Sequence, residues 1–311
     1  SRANLNILDR ALTDRLLIRG ARVEAIRVIR DGGEEVIEAG RVVLAAGAYG
    51  TPAILLRSGV GASDELRALS IKPVLDLPGV GRNLHDHPAS RVVFAGTPEL
   101  VASMEEFARR HWTPEEQTIA KARSTQCRTG FDVHIYPVGG LYGGALAGSS
   151  HGWNWSLEVA CMTPRSRGVL KLASPDPASA PVLDHGYLTD TAAEDLRVLV
   201  DGIELALQLG ASPGLARLLG DPIRPAAGAR SRAQLAEYIR ANVAHYAHPV
   251  GTCAMGRANE PGAVVSARGK VHGLDNCYVG DASIMPVIPR ANTNLPALAV
   301  GLRIASWLLE A

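Results

Sequence analysis

Short apolar runs separated by turn residues make up the first forty residues of the chain. Leu16-Leu17-Ile18 ends at Gly20, and the run from Val23 to Ile29 alternates roughly between apolar and polar positions. Asp31-Gly32-Gly33 has the composition of a hairpin turn, and Val36-Ile37 can pair with the preceding run. The chain is therefore predicted to begin with antiparallel strands.

A different kind of strand is predicted next, from Arg41 to Ala48, because every residue after the arginine is apolar or small. Small residues at the end of a buried strand let a ligand approach the backbone closely at the carboxyl end of a sheet. After Thr51-Pro52 the sequence predicts a short helix from Ala53 to Arg57.

The middle of the chain predicts a sheet flanked by helices. Residues 104–111 and 114–123 are predicted to be helices, and alternation within residues 132–136 and 153–159 predicts antiparallel strands. Residues 191–209 carry an apolar stripe at helical spacing, formed by Leu196, Leu199, Val200, Ile203 and Leu207. Ser231 and Gln234 form a capping-box pattern, which predicts a further helix to about Val243.

Composition limits the class of protein. The chain has 311 residues, enough for one or two domains. Its 32 Lys+Arg balance 31 Asp+Glu, so the composition does not indicate a nucleic-acid-binding protein. Its 32 glycines and 19 prolines favour a loop-rich α/β enzyme. Cys127, Cys161, Cys253 and Cys277 are scattered, which predicts free thiols in a reducing compartment. We expect no membrane span and no signal peptide.

Candidate chemistry is concentrated near the C-terminus. The segment His248-Pro249-Val250-Gly251-Thr252-Cys253 places a histidine at the mouth of a bent loop, a poor setting for a core side chain. Downstream, residues 280–286 and 290–296 are dense in polar side chains and precede an apolar helix predicted to carry Leu298, Leu302, Ala305 and Leu309. Asn294 and Pro296 are suitable residues to begin that helix. This arrangement indicates a bound ligand.

These segments resemble the C-terminal signature of the glucose–methanol–choline oxidoreductases, flavoenzymes that oxidise alcohols with FAD. Residues 47–61 and 77–88 resemble two further signatures of that family. His85 is a small departure, because glutamine is usual at its position. The resemblance covers essentially the whole chain apart from roughly residues 97–130, and favours a bacterial choline-dehydrogenase-like member.

The resemblance implies roles for two residues in catalysis. His248 takes the place of the acid/base that abstracts the alcohol proton, while the hydride passes to flavin N5. Asn292 takes the second active-site position, from which its amide can donate a hydrogen bond to the substrate oxygen as negative charge grows there. An asparagine here leaves His248 as the one candidate base. A structural loop histidine and a helix-capping asparagine are the alternative interpretations.

The resemblance also implies a fold and a cofactor site. The expected fold is an α/β FAD-binding, Rossmann-like portion interleaved with an α+β substrate domain built on an antiparallel sheet. Residues 1–90 would belong to the FAD-binding domain, residues 91–245 to substrate binding, and residues 246–311 to the active-site loop and the return to the FAD-binding domain. The expected FAD contacts are Thr13, Ala46, Gly47, Tyr49, Asp281, Ala282, Asn294 and Pro296, with no metal.

One element of the family is absent from this sequence. FAD is cradled in the family by an N-terminal β-α-β unit with the pattern Gly-x-Gly-x-x-Gly. We therefore expect the chain to be the C-terminal portion of a longer flavoprotein, or one half of a split one. Its partners would be that N-terminal segment or a second chain, an alcohol, and an electron acceptor such as O2, a quinone or a redox protein. A bacterial cytoplasmic location is expected, with a targeting signal on the missing part left open.

Other interpretations of the same residues remain. The chain can be a fragment without catalysis, or a member of the family that acts as a lyase. A hydrolase built on His248 and Cys253 fits worst, because no orienting carboxylate stands at a recognisable spacing, and a small buried thiol is expected at Cys253. His85-Asp86-His87 could bind a metal, although a loop-bracing role is favoured.

Overall fold

A computed structural model describes residues 3–111, 118–139, 153–226, 228–229 and 231–310. The chain divides into two compact units. Unit 1 contains Ser1–His85, Arg167–Gly186 and His248–Ala311, and unit 2 contains Asp86–Ser166 and Tyr187–Ala247. Unit 1 is therefore assembled from three separate segments of the chain, and unit 2 from two.

Unit 1 opens with the predicted antiparallel sheet. Strands β1 (Leu12–Arg19), β2 (Arg22–Arg30) and β3 (Gly33–Glu38) pair in that order. Val36 and Ile37 lie opposite Arg27 and Ile26, so the predicted pairing is confirmed. Asp31 and Gly32 both have positive φ angles, of 48° and 81°, as the tight turn between β2 and β3 requires.

The next elements of unit 1 are strand β4 (Val42–Leu44) and helix α1 (Gly47–Arg57). The strand is shorter than predicted and the helix begins six residues before the predicted start at Ala53. The helix can continue through Pro52, which has no N–H to donate to the carbonyl of Ala48, because the Thr252 hydroxyl donates to that carbonyl instead (2.7 Å).

The rest of unit 1 is built from short elements. They are β5 (Val60–Gly61), α2 (Ser63–Ala68), β6 (Leu75–Asp76), and the pair β11 (Val169–Lys171) with β12 (Val182–Asp184). Strand β15 (Cys277–Val279) pairs in parallel with β4, and a 3-10 turn (Ala282–Ile284) precedes helix α7 (Asn294–Glu310). The start of α7 confirms the predicted helix entry.

Unit 2 is organised around a six-stranded antiparallel sheet. Its order is β13 (Leu219–Arg224), β7 (Pro88–Gly96), β10 (Asn154–Cys161), β9 (Val133–Gly139) and β8 (Ala120–Ala122), with β14 (Ala244–His245) also pairing with β7. Strands β9 and β10 confirm the antiparallel pair predicted from alternation.

Helices cover one face of this sheet. They are α3 (Pro98–Arg110), α4 (Glu194–Gly210), α5 (Pro213–Ala216) and α6 (Arg232–Asn242). Helix α4 packs across β7, β9 and β10, and four of its five predicted stripe residues are buried in the unit 2 core: Leu196, Leu199, Val200 and Ile203. The capping box predicted for α6 is formed, with the Ser231 hydroxyl accepting from the Gln234 amide (3.3 Å).

Two helix predictions in unit 2 need correction. Helix α3 begins at Pro98 rather than at residue 104, because the Thr97 side chain caps it by accepting from the Leu100 amide (3.4 Å). The helix predicted over residues 114–123 is wrong at Ala120–Ala122, which form strand β8 against β9. Residues 114–117 of that prediction lie outside the described residues. Pairing with a distant strand has overridden the local helical preference.

Among the described residues, no helix is long and apolar enough to cross a membrane.

Candidate active site

The His248 loop runs beside the segment that follows β15. The amide of Cys253 donates to the carbonyl of Ser283 (2.8 Å), and the amide of Met255 donates to that of Ile284 (2.8 Å). His248 itself is buried, with 9% of its surface exposed. Two of the segments singled out in the sequence are therefore bonded along their backbones within unit 1.

A small apolar cluster brings the second catalytic candidate to the same region. Val250, Met285 and Ile288 are buried together, and Ala297 from the first turn of α7 packs against them. Asn292, which lies between Ile288 and α7, is exposed. The structure thus positions the His248 loop and the Asn292 segment on one cluster, immediately before the N-terminus of a 17-residue helix.

Asp281 is the polar node of this region. One carboxylate oxygen accepts from the Gly47 amide (3.0 Å) and the Thr51 hydroxyl (2.5 Å), and the other accepts from the Ser283 amide (2.8 Å). The side chain therefore joins the start of helix α1 to the 3-10 turn that contains Ala282. Its partners are two backbone amides and one hydroxyl.

The turn between β4 and α1 is open on one side. Gly47 has a φ of +76°, and a side chain placed on it would meet nothing within 4 Å. Ala46 beside it is exposed. The turn follows the carboxyl end of strand β4, which pairs in parallel with β15, and helix α1 begins there with the Gly47 amide bonded to Asp281 (3.0 Å). Such an edge is where nucleotide cofactors bind in α/β folds, so these residues fit FAD.

Thr13 lies apart from the other predicted cofactor residues. Its carbonyl accepts from Arg57 at the C-terminal end of α1 (3.2 Å), whereas Gly47 is at the N-terminal end. Eleven residues of helix separate the two ends, a length of about 16 Å. Tyr49 is half-buried on α1, and its hydroxyl is hydrogen-bonded to His185 (2.9 Å). The structure therefore gathers Ala46, Gly47, Asp281 and Ala282 but not Thr13.

His85 has the loop-bracing role favoured by the sequence. One ring nitrogen is bonded to the carbonyl of Asn83 (2.6 Å) and the other accepts from the amide of Ile288 (3.0 Å). Burial, followed by the positive charge of Arg167, lowers the pKa of His85 to about 4, although the bond to Asn83 opposes this. With both nitrogens occupied, His85 has no lone pair for a metal ion.

Cys253 is a buried thiol, as expected. It is fully enclosed, and burial, followed by the charge of Asp281, raises its pKa far above that of an ordinary thiol. A thiolate nucleophile is therefore strongly disfavoured at this position. This argues against the hydrolase interpretation. All four cysteines of the chain are free thiols.

Several residues that shape the region escaped the sequence analysis. Thr51 and Thr252 hold the start of α1, and Asn83 donates to the carbonyls of Gly251 (3.3 Å) and Pro286 (3.2 Å). Asn83 lies within the recognised segment 77–88, so its presence there was the available signal. Thr51 and Thr252 likewise lie within recognised segments, 47–61 and 248–253, but their partners Asp281 and Ala48 are 230 and 204 residues away, so the sequence did not predict these contacts.

A polar face of the unit 2 sheet was also missed. On the face away from α4, the side chains of Arg91, Glu158 and Tyr136 lie on directly opposed positions of β7, β10 and β9, and Arg91 is ion-paired with Glu158 (2.9 Å). His134, two residues along β9 from Tyr136, is buried, and neither of its ring nitrogens has a hydrogen-bond partner among the described residues. Buried polar groups usually have hydrogen-bond partners, so the His134 ring is an unusual feature of this face.

Comparison with known proteins gives the class. Two family models of the GMC oxidoreductase type match residues 1–89 and 164–301. An oxygen-dependent choline dehydrogenase from Burkholderia thailandensis is 33% identical over 325 residues, which cover 98% of this chain and 56% of that protein. Its counterpart from Paraburkholderia phymatum is 35% identical over 323 residues, covering 98% and 55%.

Solved structures agree on the fold. A pyridoxine 4-oxidase from Mesorbium loti matches with a TM-score of 0.86 and 27% identity, covering 100% of this chain and 59% of that one. A formate oxidase from Aspergillus oryzae matches with a TM-score of 0.81 and 22% identity, covering 95% of this chain and 59% of that one. At this identity, the match supports a shared fold and nothing further.

These matches confirm the expected fold class, an α/β FAD-binding fold combined with an antiparallel sheet. The chain belongs to the GMC oxidoreductase family. It spans a little over half the length of the curated relatives that it matches.

Proposed function

We propose that this protein is the C-terminal part of an FAD-dependent enzyme that oxidises an alcohol, with His248 as the base. The observation that carries the proposal is the backbone pairing of the His248 loop with residues 282–284, directly before the segment of Asn292 and helix α7. Family membership and the names of relatives, which include a choline dehydrogenase and a pyridoxine oxidase, support it.

In this proposal, His248 accepts the proton of the substrate hydroxyl. Histidine suits that step because its ordinary pKa of about 6.5 lies near neutral pH. Asn292 donates its amide N–H to the same oxygen, which stabilises the negative charge that develops as the proton leaves. FAD, when bound, supplies the acceptor for the hydride of the alcohol carbon.

Residues at the β4 and β15 edge would hold the cofactor. Ala46 and Gly47 offer open backbone, and the first turn of α7, with Asn294 and Pro296, directs a positive helix end at anionic or carbonyl oxygens. The Asp281 carboxylate is occupied by protein donors, so Asp281 and Ala282 would contact FAD chiefly through their backbone. Thr13 and Tyr49 are assigned with them by resemblance.

The activity requires a further segment or a partner chain. Helix α7 supports this requirement, because four of its leucines are 57–90% exposed: Leu295, Leu298, Leu302 and Leu309. Val43 of strand β4 is 45% exposed. Soluble proteins rarely leave such apolar surface uncovered. The same proposal has three further parts. Residues 91–245 bind the substrate, and the electron acceptor is O2, a quinone or a redox protein. The location is cytoplasmic.

A visible absorption spectrum of the purified protein, with FAD added, tests the proposal. Oxidised-flavin bands that bleach anaerobically with choline, pyridoxine or another primary alcohol are the expected result once the N-terminal segment is present, covalently or as a second chain. If the protein binds FAD in the presence of the N-terminal segment but no alcohol bleaches the flavin bands, the proposed oxidation is contradicted. A protein that stays colourless after FAD and the N-terminal segment are added would instead favour a fragment without catalysis.

A further inference from the structure

The segment from Asn83 to His85 contacts both candidate catalytic segments of unit 1. Its backbone pairs with the His248 loop, since the His85 amide donates to the carbonyl of Val250 (3.2 Å) and the Val250 amide donates to that of His85 (2.9 Å). The Asn83 side chain donates to the carbonyl of Pro286, and the His85 side chain accepts from the amide of Ile288. Both partners lie in the segment that leads to Asn292. We call Asn83 and His85 together the clasp.

The His85 ring can adopt only one protonation state in this position. The amide of Ile288 points its hydrogen at Nε2 (3.0 Å), so Nε2 must be the bare acceptor nitrogen. The carbonyl of Asn83 faces Nδ1 (2.6 Å), so Nδ1 must carry the proton. The side chain is 1% exposed, and its low pKa keeps the ring neutral in the physiological range. An imidazolium would set one N–H against another.

The Asn83 amide completes the connection. Its nitrogen donates to the carbonyls of Gly251 and Pro286, one in each catalytic segment, while its oxygen accepts from the Arg167 guanidinium (2.9 Å). Asn83 has a φ of +57°, a left-handed conformation that asparagine tolerates better than most residues. Hydrogen bonds from all sides therefore fix the orientation of this amide.

Packing leaves the clasp little room to move. Gly251 approaches so closely that a side chain there would lie 2.4 Å from the Asn83 carbonyl and 2.7 Å from the His85 ring. Its φ of +93° is unfavourable for other residues as well. A shift of His85 would thus be transmitted to the loop three residues after His248.

From this geometry we propose that Asn83 and His85 are positioning residues that set the spacing between His248 and Asn292. The proposal rests on the proposed function for its catalytic consequence. The chemistry that His85 must supply is one acceptor and one donor on a neutral planar group, and a carboxamide offers the same pair. Glutamine should therefore replace His85, whereas leucine, of similar bulk but without polar atoms, should not.

The first test needs no cofactor. In ¹⁵N NMR of the whole chain at pH 7, His85 should be neutral with its proton on Nδ1, and the amide hydrogen of Ile288 should exchange slowly. His85→Leu should speed that exchange by tenfold or more, while His85→Gln leaves it near the wild-type value. A proton on Nε2 of His85 in the wild type, or unchanged Ile288 exchange in His85→Leu, would overturn the clasp. The wild-type spectrum decides the matter even where the leucine variant fails to fold.

The second test measures flavin reduction by an alcohol in the protein complemented with its N-terminal segment. His85→Leu should slow reduction about 10–100-fold with FAD still bound, since displacement of reacting groups by about 1 Å has effects of that size. His85→Gln should stay within about threefold of wild type. The matched control is His272→Leu, which removes a half-buried histidine bonded to the Gly256 carbonyl (3.0 Å) and should leave the rate unchanged.

The two proposals fail in different ways. A wild-type rate in His85→Leu would refute the positioning role while leaving the oxidation intact. A wild-type flavin that no alcohol reduces would refute the oxidation, and the NMR measurement would still decide whether the clasp exists.

Discussion

Helices α4 and α7 have the same length, 17 residues, and both carry leucines at helical spacing, yet they use them in opposite ways. Helix α4 buries its stripe against the sheet of unit 2, with Leu199 and Ile203 fully enclosed. Helix α7 buries mainly Ile304, and Leu302 is 74% exposed. Sequence periodicity is thus the same signal in both helices, and only the surroundings determine what it means.

The difference separates two tasks. Helix α4 closes the core of unit 2, so its residues act on stability. Helix α7 has the candidate catalytic segment at its N-terminus and an apolar face with no cover among the described residues of unit 1. Changes around α7 should therefore alter chemistry with little effect on the folding of this chain, and changes in α4 should do the reverse.

Replacing His248 should give the largest effect. His248→Ala is expected to slow flavin reduction about 10²–10⁴-fold, because a positioned general base contributes that much. Asn292→Ala should slow it about 10²-fold, by loss of one donor to the oxyanion. Stopped-flow reduction with an alcohol measures both, and FAD binding should persist. Unchanged reduction in His248→Ala would refute its role as base, and loss of FAD in Asn292→Ala would make that residue a structural cap.

Core truncation should sharpen the contrast between the two helices. Ile203→Ala in α4 removes a side chain with no exposure and should lower the free energy of unfolding by about 2–5 kcal/mol. Leu302→Ala in α7 is the matched control, and should change it by less than about 0.5 kcal/mol in this chain alone. Urea denaturation of the chain measures both. Equal losses in the two variants would mean that α7 is covered as thoroughly as α4.

The same contrast shows how far sequence can lead. The stripe of α4 was predictable because its spacing is a local pattern, and the capping box at Ser231 was predictable because its two partners lie three residues apart. Strand β8 was not, since its conformation depends on pairing with β9. The contact of His85 with Ile288 spans 203 residues, so only a fold can create it. Motif resemblance identified the segments of the candidate site, but not the side chains, such as Thr51, Asn83 and Thr252, that hold those segments together.

Acid should lower the folding stability of both units. Near neutral pH this is the smallest of the predicted effects. His85 in unit 1 and His134 in unit 2 each have a pKa lowered to about 4, chiefly by burial and secondarily by the positive charges of Arg167 and Lys121. In the unfolded chain both should titrate near 6.5. The unfolded state therefore binds protons first as the pH falls, so stability is complete above about pH 6.5 and declines toward pH 4.

At pH 5.5 the loss should be on the order of 1 kcal/mol for each histidine, rising to roughly 3 kcal/mol near pH 4. His134→Phe, which keeps a ring that can stack on Phe131 and removes the titrating nitrogens, should abolish the contribution of unit 2 while leaving that of His85. Urea unfolding between pH 7 and pH 4.5, followed in the wild type and His134→Phe, measures the difference. Identical pH dependence in the two proteins would mean that the pKa of His134 is the same in the folded and unfolded states, which would contradict a lowered pKa for this buried ring.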